Sequence, residues 1–308
     1  MPTFDIHAYL KEKKSLIDRT LDRYLKESKQ HPQTLYRAIH YGIFPGGKRL
    51  RPILTLAAGE LFGGKHKWLL PFACALELIH TYSIIHDDLP ALDNDDLRRG
   101  ELANHKLFGE GMALLAGDAL LTEAFHLMTR PQVVRALEPN LVLEVIHEIS
   151  HAAGVGGMVG GQAVDLETEG REVDVATVEY IHVRKTGALI LAAARVGARI
   201  GGAGPKELRT ISRYSEFLGL AFQIADDILD VDGHPSGGGR EGTRDKERRK
   251  ATYPSVVGIG AAKARLEELL QNCLKEVEIF GKDADPLRGI ARYVVERALL
   301  EPKMEDRR

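Results

Sequence analysis

Apolar residues recur along the chain at steps of three and four residues, which is the period of an amphipathic α-helix. One such stripe near the start of the chain consists of Leu10, Ile17, Leu21, Tyr24 and Leu25. Similar stripes predict helices over residues 51–61, 71–88, 112–128, 131–151, 175–199, 205–231, 262–280 and 287–300. The alternation that is typical of strands is hard to find. The pattern therefore predicts an all-α fold.

Glycines and prolines lie between the predicted helices, where they would end one helix and allow the next to begin. These breaks are Gly63-Gly64, Gly100, Gly109–Gly111, Gly154–Gly161, Gly201–Pro205 and Gly233–Gly239. On length alone, 308 residues would suggest two domains of about 150 residues each. Because no segment is long and polar enough for a linker, we expect a single domain over residues 1–308, built as a helical bundle. The glycine-rich, charged stretch 232–249 is the best candidate for a surface loop.

Composition narrows the possible partners. With 42 basic and 44 acidic side chains, the net charge of −2 provides no general attraction to nucleic acid or to an anionic membrane. Charges within the first 16 positions argue against a secretion signal, and the longest run without Asp, Glu, Lys or Arg is residues 149–164. That run is shorter than the roughly 18–20 residues of a membrane span. Cys74 and Cys273 lie among apolar residues, as reduced core thiols do. We therefore expect a cytoplasmic protein without a membrane span or a nucleic-acid partner.

The densest chemical signal is an acidic cluster that is followed by two arginines. Its residues are Asp87, Asp88, Asp93, Asp95 and Asp96, then Arg98 and Arg99. Acidic runs usually form a solvated helix end. This one follows apolar helical turns, so we expect its first aspartates at the rim of a buried cavity, where clustered carboxylates favour Mg²⁺. Asp87 and Asp93 do not share a face of an unbroken helix, so they could meet only through a break, which Pro90 supplies.

A second acidic cluster lies in the predicted helix 205–231. Gln223, Asp226 or Asp227, and Asp230 fall on one face at three- and four-residue spacing. If both carboxylate sets face one cavity, they could hold several Mg²⁺ ions around one polyanion, for which a diphosphate is the natural candidate.

Basic residues that could bind such an anion lie at a glycine turn. Lys48, Arg49 and Arg51 follow Gly46-Gly47 and precede a helix whose first position we expect at Pro52. Residues 42–48 also fit the front of the nucleotide P-loop pattern, but Arg49 stands where Ser or Thr must bind Mg²⁺ and no strand precedes it, which excludes that interpretation. A basic helix start on the surface is the remaining alternative.

Two further segments carry candidate chemistry. Lys185-Thr186 leads into an apolar helix, and polar groups on the wall of an apolar cavity are costly to bury without a partner. Residues 147–151 fit the zinc-protease pattern H-E-x-x-H, with His147 and His151 as ligands and Glu148 as the base. Gly157 occupies the position of a third histidine, so the zinc interpretation would need another third ligand, such as Glu167 or Glu169.

Together these motifs resemble those of the trans-polyprenyl diphosphate synthases, specifically the bacterial farnesyl and geranylgeranyl diphosphate synthases. The resemblance covers about residues 40–300 and rests on Gly46–Pro52, Asp87–Arg99, Gly160–Gln162, Lys185–Gly187, Phe222–Asp230 and Lys250–Pro254. It implies an all-α homodimer of the isoprenoid-synthase type, with a deep central cavity. The implied reaction condenses isopentenyl diphosphate with an allylic diphosphate, dimethylallyl or geranyl, head to tail.

The resemblance also implies roles for individual residues. The ligands of Mg²⁺, with about three ions per active site, would be Asp87, Asp88, Asp93, Asp226, Asp227 and Asp230. Isopentenyl diphosphate would be held by Lys48, Arg51, His80 and Arg99. Arg98 would bind the allylic diphosphate, and the residues around the allylic group would be Lys185, Thr186, Gln223 and Lys250. Of these, the Lys185 carbonyl, the Thr186 hydroxyl and Gln223 would steady the allylic cation.

Product length should depend on the residues just before the first acidic cluster. Tyr82 and Ser83 precede Asp87 by five and four residues, about 6–7.5 Å along a helix. In the family an aromatic residue at this place goes with the fifteen-carbon product, so we expect farnesyl diphosphate, with geranylgeranyl diphosphate as the alternative. Tyr82 could also be an ordinary core residue.

Two other functions of the same fold stay open at this point. A terpene cyclase would share the metal motifs but would not need Lys48, Arg51 and His80, because it has no second diphosphate to hold. A non-catalytic partner subunit would typically lack one aspartate motif, and this chain has both.

Overall fold

The structure is a computed structural model that describes residues 4–26, 32–231 and 251–299. These residues are helical almost throughout, which confirms the all-α prediction. The backbone forms two compact units. The first unit comprises residues 7–150 and 192–208, and the second comprises residues 1–6, 151–191 and 209–308.

The secondary structure follows the chain with short connections. The elements that begin before residue 150 are α1 (Ile6–Lys26), α2 (Gln33–Ile43), α3 (Leu50–Leu61), α4 (His66–Asp87), the hairpin strands β1 (Leu97–Arg98) and β2 (Glu101–Leu102), α5 (Asn104–Phe108), α6 (Glu110–Met128), α7 (Pro131–Val134) and α8 (Pro139–Ala153). The later elements are α9 (Met158–Thr168), α10 (Val175–Ile181), a π-helical turn (His182–Gly187), α11 (Ala188–Gly201), α12 (Pro205–Val231), α13 (Tyr253–Val257), α14 (Ile259–Glu276), a 3-10 segment (Val277–Ala284) and α15 (Asp285–Leu299).

Helix α4 is the centre of the first unit. It packs against α2, α3 and α6, and its side chains Leu69, Phe72, Leu76 and Ile79 are fully buried. By length and composition α4 could cross a membrane, but 72% of its most apolar window is buried inside the protein. That burial is typical of a core helix, so α4 gives no support for a membrane span.

Four polar groups meet where α1 packs beside α3 and α4 in the first unit. Glu60 accepts hydrogen bonds from Tyr9 at 2.7 Å and from His66, and it forms a 2.6 Å ion pair with Lys13. Burial raises the pKa of Glu60, but the hydrogen bonds from Lys13, His66 and Tyr9 outweigh burial and leave that pKa below its ordinary value. The cluster therefore ties α1 to the rest of the unit through an ionised carboxylate.

The core of the second unit forms around the C-terminal half of α12. Ile224 and Ile228 of α12 pack with Leu266 and Leu269 of α14 and with residues of α15. Cys74 and Cys273 are both buried and form no disulfide, as expected for core thiols.

The structure corrects several predicted boundaries. Helix α3 begins at Leu50 rather than at Pro52; the proline is tolerated in the first turn because an N–H there has no helical acceptor. The stripe 131–151 is split between α7 and α8, and Pro139 starts the second helix. The stripe 175–199 contains the π-helical turn, and the stripe 262–280 ends in the 3-10 segment. The hairpin β1–β2 was not predicted, because two residues per strand are too few to show alternation.

Candidate active site

The first acidic cluster lies where α4 ends and the chain folds back. Helix α4 stops at Asp87, three residues before Pro90, so the predicted break is confirmed. The Asp93 amide then donates to the Asp87 carbonyl at 2.7 Å, and the Asp95 amide donates to the Asp88 carbonyl at 3.2 Å. The break therefore brings the backbone of Asp93 next to Asp87, which an unbroken helix would separate.

Asp88 is the most buried carboxylate of this cluster, with 2% exposure. The Arg98 Nε donates to its Oδ1 at 2.9 Å, and the Arg98 Nη2 contacts both Asp88 and, at 3.1 Å, Asp95. Burial raises the pKa of Asp88 to about 6, even though the charge of Arg98 lowers it. Arg98 is thus held against the aspartates by the hairpin that carries it.

The basic residues that the sequence singles out also meet within the first unit. The pKa of His80 lies well below its ordinary value because burial and the positive charges of Arg51, Arg99 and Arg49 disfavour a further cation. Asp88 and Arg99 line the same small cavity, of about 40 Å³. The Lys48 side chain is exposed at the turn before α3. These residues form a cationic cluster, Lys48, Arg51, His80 and Arg99, close to the first aspartate motif.

Two glycines shape the turn that presents the cationic cluster. Gly46 and Gly47 have φ values of 109° and 133°, which disfavour other residues. The Gly46 carbonyl accepts a hydrogen bond from Arg99. A Cβ atom on Gly47 would lie 3.0 Å from the Arg99 Nη1 and 3.3 Å from the Arg49 Nη1. The turn therefore needs glycine to let the arginines approach its backbone.

The second acidic cluster lies on α12 in the second unit. Asp226 accepts a 2.6 Å hydrogen bond from the Arg297 Nη2, and Asp230 follows one helical turn later on the same face. Asp227 is buried; its Oδ2 accepts from the Tyr253 amide at 2.7 Å and lies 3.3 Å from the His182 Nε2. Gln223 is half-buried one turn before Asp227.

Lys185 and Thr186 lie in the π-helical turn of the same unit. The Lys185 Nζ donates to the Asp165 Oδ2 of α9 at 2.7 Å, and Thr186 is buried with 9% exposure. A Cβ atom on Gly161 would lie 2.3 Å from the Lys185 amide nitrogen, so α9 contacts this turn through a glycine. π-Helical turns inside helices occur frequently at functional sites, because the extra residue changes where the side chains point.

The residues predicted to set product length pack within the first unit. Tyr82 is 8% exposed, and its ring meets the His86 ring edge-on at 5.7 Å between centroids. The Ser83 hydroxyl donates to the His80 carbonyl at 2.9 Å. Lys250, the remaining predicted substrate-binding residue, lies outside the described residues.

The zinc interpretation finds no support in the structure. His147 and His151 are exposed on α8, and Glu148 is paired with Arg195 and Arg199. Over residues 4–26, 32–231 and 251–299, no group of three or more His, Cys, Asp and Glu side chains is gathered as a metal site. Two exposed histidines without a third ligand are not a zinc-protease centre.

The two aspartate motifs fit Mg²⁺ by the chemistry of their donors rather than by a closed ligand cage. Each motif offers carboxylate oxygens only, and Mg²⁺ prefers oxygen ligands that it shares with substrate phosphates and water. In this structure Asp88 and Asp226 contact Arg98 and Arg297 instead. Metal binding at either motif therefore requires these arginine contacts to rearrange or to be shared.

Several residues of these clusters could not be found from the sequence. Asp165, His182 and Arg297 hold predicted site residues, but each lies far along the chain from the group that it contacts. Glu77 was the one with a local signal, because it is a single acid within the apolar stripe 71–86.

An all-α chain with a cationic cluster and two aspartate motifs belongs to the class of proteins that bind diphosphates with the help of metal ions. Residues 32–284 match the sequence profile of the family described as polyprenyl synthetase, so the chain belongs to that family. This confirms the resemblance drawn from the motifs.

Individual relatives cover nearly the whole chain. A geranylgeranyl diphosphate synthase of Cyanophora paradoxa is 42% identical over 295 residues, which are 96% of this chain and 97% of the relative. A farnesyl diphosphate synthase of Geobacillus stearothermophilus is 43% identical over 284 residues, 91% of this chain and 95% of the relative. A solved structure of an FPP/GFPP synthase from Zymomonas mobilis superimposes with a TM-score of 0.83 at 36% identity, and covers 94% of this chain and 98% of that one.

Proposed function

We propose that this protein condenses isopentenyl diphosphate with dimethylallyl or geranyl diphosphate, head to tail, and that its main product is farnesyl diphosphate. Prenyl transfer is the activity of the family to which the chain belongs. The observation that carries the proposal is the cationic cluster beside the first aspartate motif. A terpene cyclase has one diphosphate to bind, whereas here Arg51, His80 and Arg99 gather in addition to the aspartates.

In the first unit, the cationic cluster binds the diphosphate of isopentenyl diphosphate. Lys48, Arg51 and Arg99 supply positive charge, and His80, with its lowered pKa, is neutral at pH 7 and offers a hydrogen bond without further repulsion. Asp87, Asp88 and Asp93 face the other substrate, the allylic diphosphate, together with Arg98. When Mg²⁺ is bound to these carboxylates, it neutralises the charge of the leaving diphosphate.

In the second unit, Asp226, Asp227 and Asp230 form the other aspartate motif of the allylic diphosphate. The Lys185 carbonyl, the Thr186 hydroxyl and Gln223 steady the allylic cation while the bond between C1 and the diphosphate oxygen breaks. The double bond of isopentenyl diphosphate then attacks C1, and the new intermediate loses a proton to the released diphosphate. No protein base is required for this sequence of steps.

Tyr82 supports farnesyl diphosphate as the product. Relatives at similar identity are named for products of different length, so the family alone leaves the length open. Tyr82 is a large side chain one to two turns of α4 before the aspartates, and it is packed rather than exposed. A growing chain that extends along α4 would meet this ring after about 7.5 Å.

Three finer features belong to the same proposal. The family resemblance supports about three Mg²⁺ ions per active site and a homodimer. The near-zero net charge of −2 and the two unpaired cysteines support a cytoplasmic location.

Substrate dependence tests the reaction class. The purified protein is given geranyl diphosphate and Mg²⁺ with and without isopentenyl diphosphate, and the prenyl products are identified by mass spectrometry. We expect elongation only when isopentenyl diphosphate is present. A hydrocarbon product formed without it would identify a cyclase and contradict the proposal.

Tyr82→Ala tests the product length. Removing the ring opens space along α4, so we expect the variant to release a product at least one five-carbon unit longer than that of the wild type. Ser83→Ala is the matched control, because it removes one hydroxyl that bonds to the His80 carbonyl and frees little volume. An unchanged product distribution in Tyr82→Ala would contradict the role of Tyr82.

A further inference from the structure

Arg49 is a buried arginine that lies between two residues of the cationic cluster, Lys48 and Arg51. Its side chain is only 2% exposed. The Arg49 Nη1 donates to the Glu77 Oε1 at 2.7 Å, and the Nε donates to the Asp18 Oδ1 at 2.9 Å. The Nη2 donates to the Ile43 carbonyl. One guanidinium thus connects α1, the end of α2 and α4 to the turn before α3.

These contacts prevent Arg49 from binding substrate itself. All three nitrogens of its guanidinium already donate to protein acceptors, and the side chain is closed to solvent. The Arg49 that begins α3 also has φ of 52°, a left-handed conformation that non-glycine residues rarely adopt. A strained backbone that is held by several contacts is typical of residues that position a functional site.

Stability alone does not explain the pair of Arg49 and Glu77. A buried ion pair contributes little net stability compared with well-packed apolar residues, because both charges lose their hydration. Glu77 is 2% exposed, and its second oxygen, Oε2, has no hydrogen-bond partner within the described part of the chain. Glu77 therefore serves Arg49 rather than a wider polar network.

The pair connects the two parts of the cationic cluster. Lys48 and Arg51 lie one and two residues from Arg49 in the sequence, and His80 follows Glu77 by one helical turn on α4. The Arg49 Nη1 also approaches Gly47, where a Cβ atom would lie 3.3 Å away. Holding Arg49 against Glu77 therefore fixes the basic turn relative to the helix that carries His80.

We propose that Arg49, held by Glu77 and Asp18, is a positioning residue that fixes Lys48 and Arg51 opposite His80 for the diphosphate of isopentenyl diphosphate. This inference rests on the proposed function. It makes the effect of the buried pair selective: binding of isopentenyl diphosphate depends on it, whereas binding of the allylic diphosphate at the aspartate motifs does not.

The first test compares Glu77→Gln with the matched control Glu148→Gln. Both variants neutralise a carboxylate that pairs with arginine in the first unit, but Glu148 contacts Arg195 and Arg199 on α11. We expect Glu77→Gln to raise the KM for isopentenyl diphosphate about tenfold, the size of one lost charge-assisted contact, while kcat and the KM for geranyl diphosphate stay within about twofold. Glu148→Gln should change neither KM. Equal changes in both KM values of Glu77→Gln would overturn the proposal.

A second variant keeps the test valid if Glu77→Gln folds poorly. The double substitution Arg49→Met with Glu77→Leu removes both buried charges at once, so neither is left unpaired, and such replacements are often tolerated. We expect a thermal midpoint close to that of the wild type and the same selective rise in the KM for isopentenyl diphosphate. A stable double variant with wild-type kinetics would show that Arg49 is only structural.

Direct binding separates this inference from the proposed function. The binding of isopentenyl diphosphate to the wild type and to both variants is measured by calorimetry. If the wild type binds isopentenyl diphosphate but forms no product, the proposed function fails while the comparison of Kd values still tests Arg49. Equal Kd values for the wild type and the variants, or no binding to the wild type, would overturn the inference.

Discussion

The contact between Gly161 and the π-helical turn makes Gly161→Ala a demanding perturbation. A Cβ atom at this position would lie 2.3 Å from the Lys185 nitrogen, 2.7 Å from the Lys185 Cα and 2.9 Å from the Arg184 carbonyl carbon. All three are backbone atoms, so no flexible side chain can move aside. Restoring an ordinary separation of about 3.4 Å from 2.3 Å requires the turn to move by about 1 Å.

A displacement of that size acts on the residues proposed to steady the allylic cation. Misplacing a catalytic group by about 1 Å can cost about 100-fold in rate, and inserting a methyl group into a packed interior costs about 1–3 kcal/mol of stability. We therefore expect Gly161→Ala to lower kcat about 100-fold. The variant should still fold, with a reduced thermal midpoint.

The assay measures kcat with saturating isopentenyl and geranyl diphosphate, together with thermal unfolding followed by circular dichroism. Gly260→Ala is the matched control: it lies in the same unit, at the start of α14, and its Cβ atom would meet nothing within 4 Å. We expect the control to keep wild-type kcat and stability. A folded Gly161→Ala variant with kcat within threefold of the wild type would refute the reasoning.

Two further predictions address other contacts. His182→Ala removes the imidazole beside Asp227, and losing a group that orients a metal ligand typically costs 10–100-fold in metal affinity, so the Mg²⁺ concentration for half-maximal activity should rise about tenfold; an unchanged Mg²⁺ titration would contradict this role. Because the pKa of Glu60 is held below its ordinary value of 4.5, its ionised form contributes stability that is present above about pH 4.5 and is lost as the pH falls through the lowered pKa. The free energy of unfolding by urea should therefore differ between wild type and Glu60→Gln at pH 7, and the difference should shrink by about pH 3.5; equal differences at both pH values would contradict it.

Much of the fold could be predicted from the helical period of the apolar residues. The stripe 71–88 became α4, and Pro90 marked where the chain turns back so that Asp93 returns to Asp87. These features are local, because periodicity and proline act within a few residues along the chain.

Other features depend on contacts between distant residues. Lys185 finds Asp165 across 20 residues, and Arg49 finds Glu77 across 28. A pattern of spacing within one helix contains no information about such pairs. The π-helical turn likewise depends on the close approach of Gly161, a tertiary contact that overrides the uniform period of residues 175–199.

The candidate site was accessible from sequence mainly through its motifs. The aspartates and the basic turn were found because charged residues cluster beside apolar helices, and the structure brings Arg51, His80 and Arg99 together as the resemblance implied. The arginine partners of the aspartates were not expected. Arg98 was assigned to substrate, and in this structure it contacts Asp88 and Asp95.

The central claim is tested most directly by the products of the wild-type protein. The protein is incubated with Mg²⁺, isopentenyl diphosphate and either dimethylallyl or geranyl diphosphate, and the dephosphorylated alcohols are weighed by mass spectrometry. We predict farnesol as the main alcohol from both starters. Geranylgeraniol would retain the reaction but contradict the role of Tyr82, and the absence of any condensation product would contradict the assignment of head-to-tail prenyl transfer.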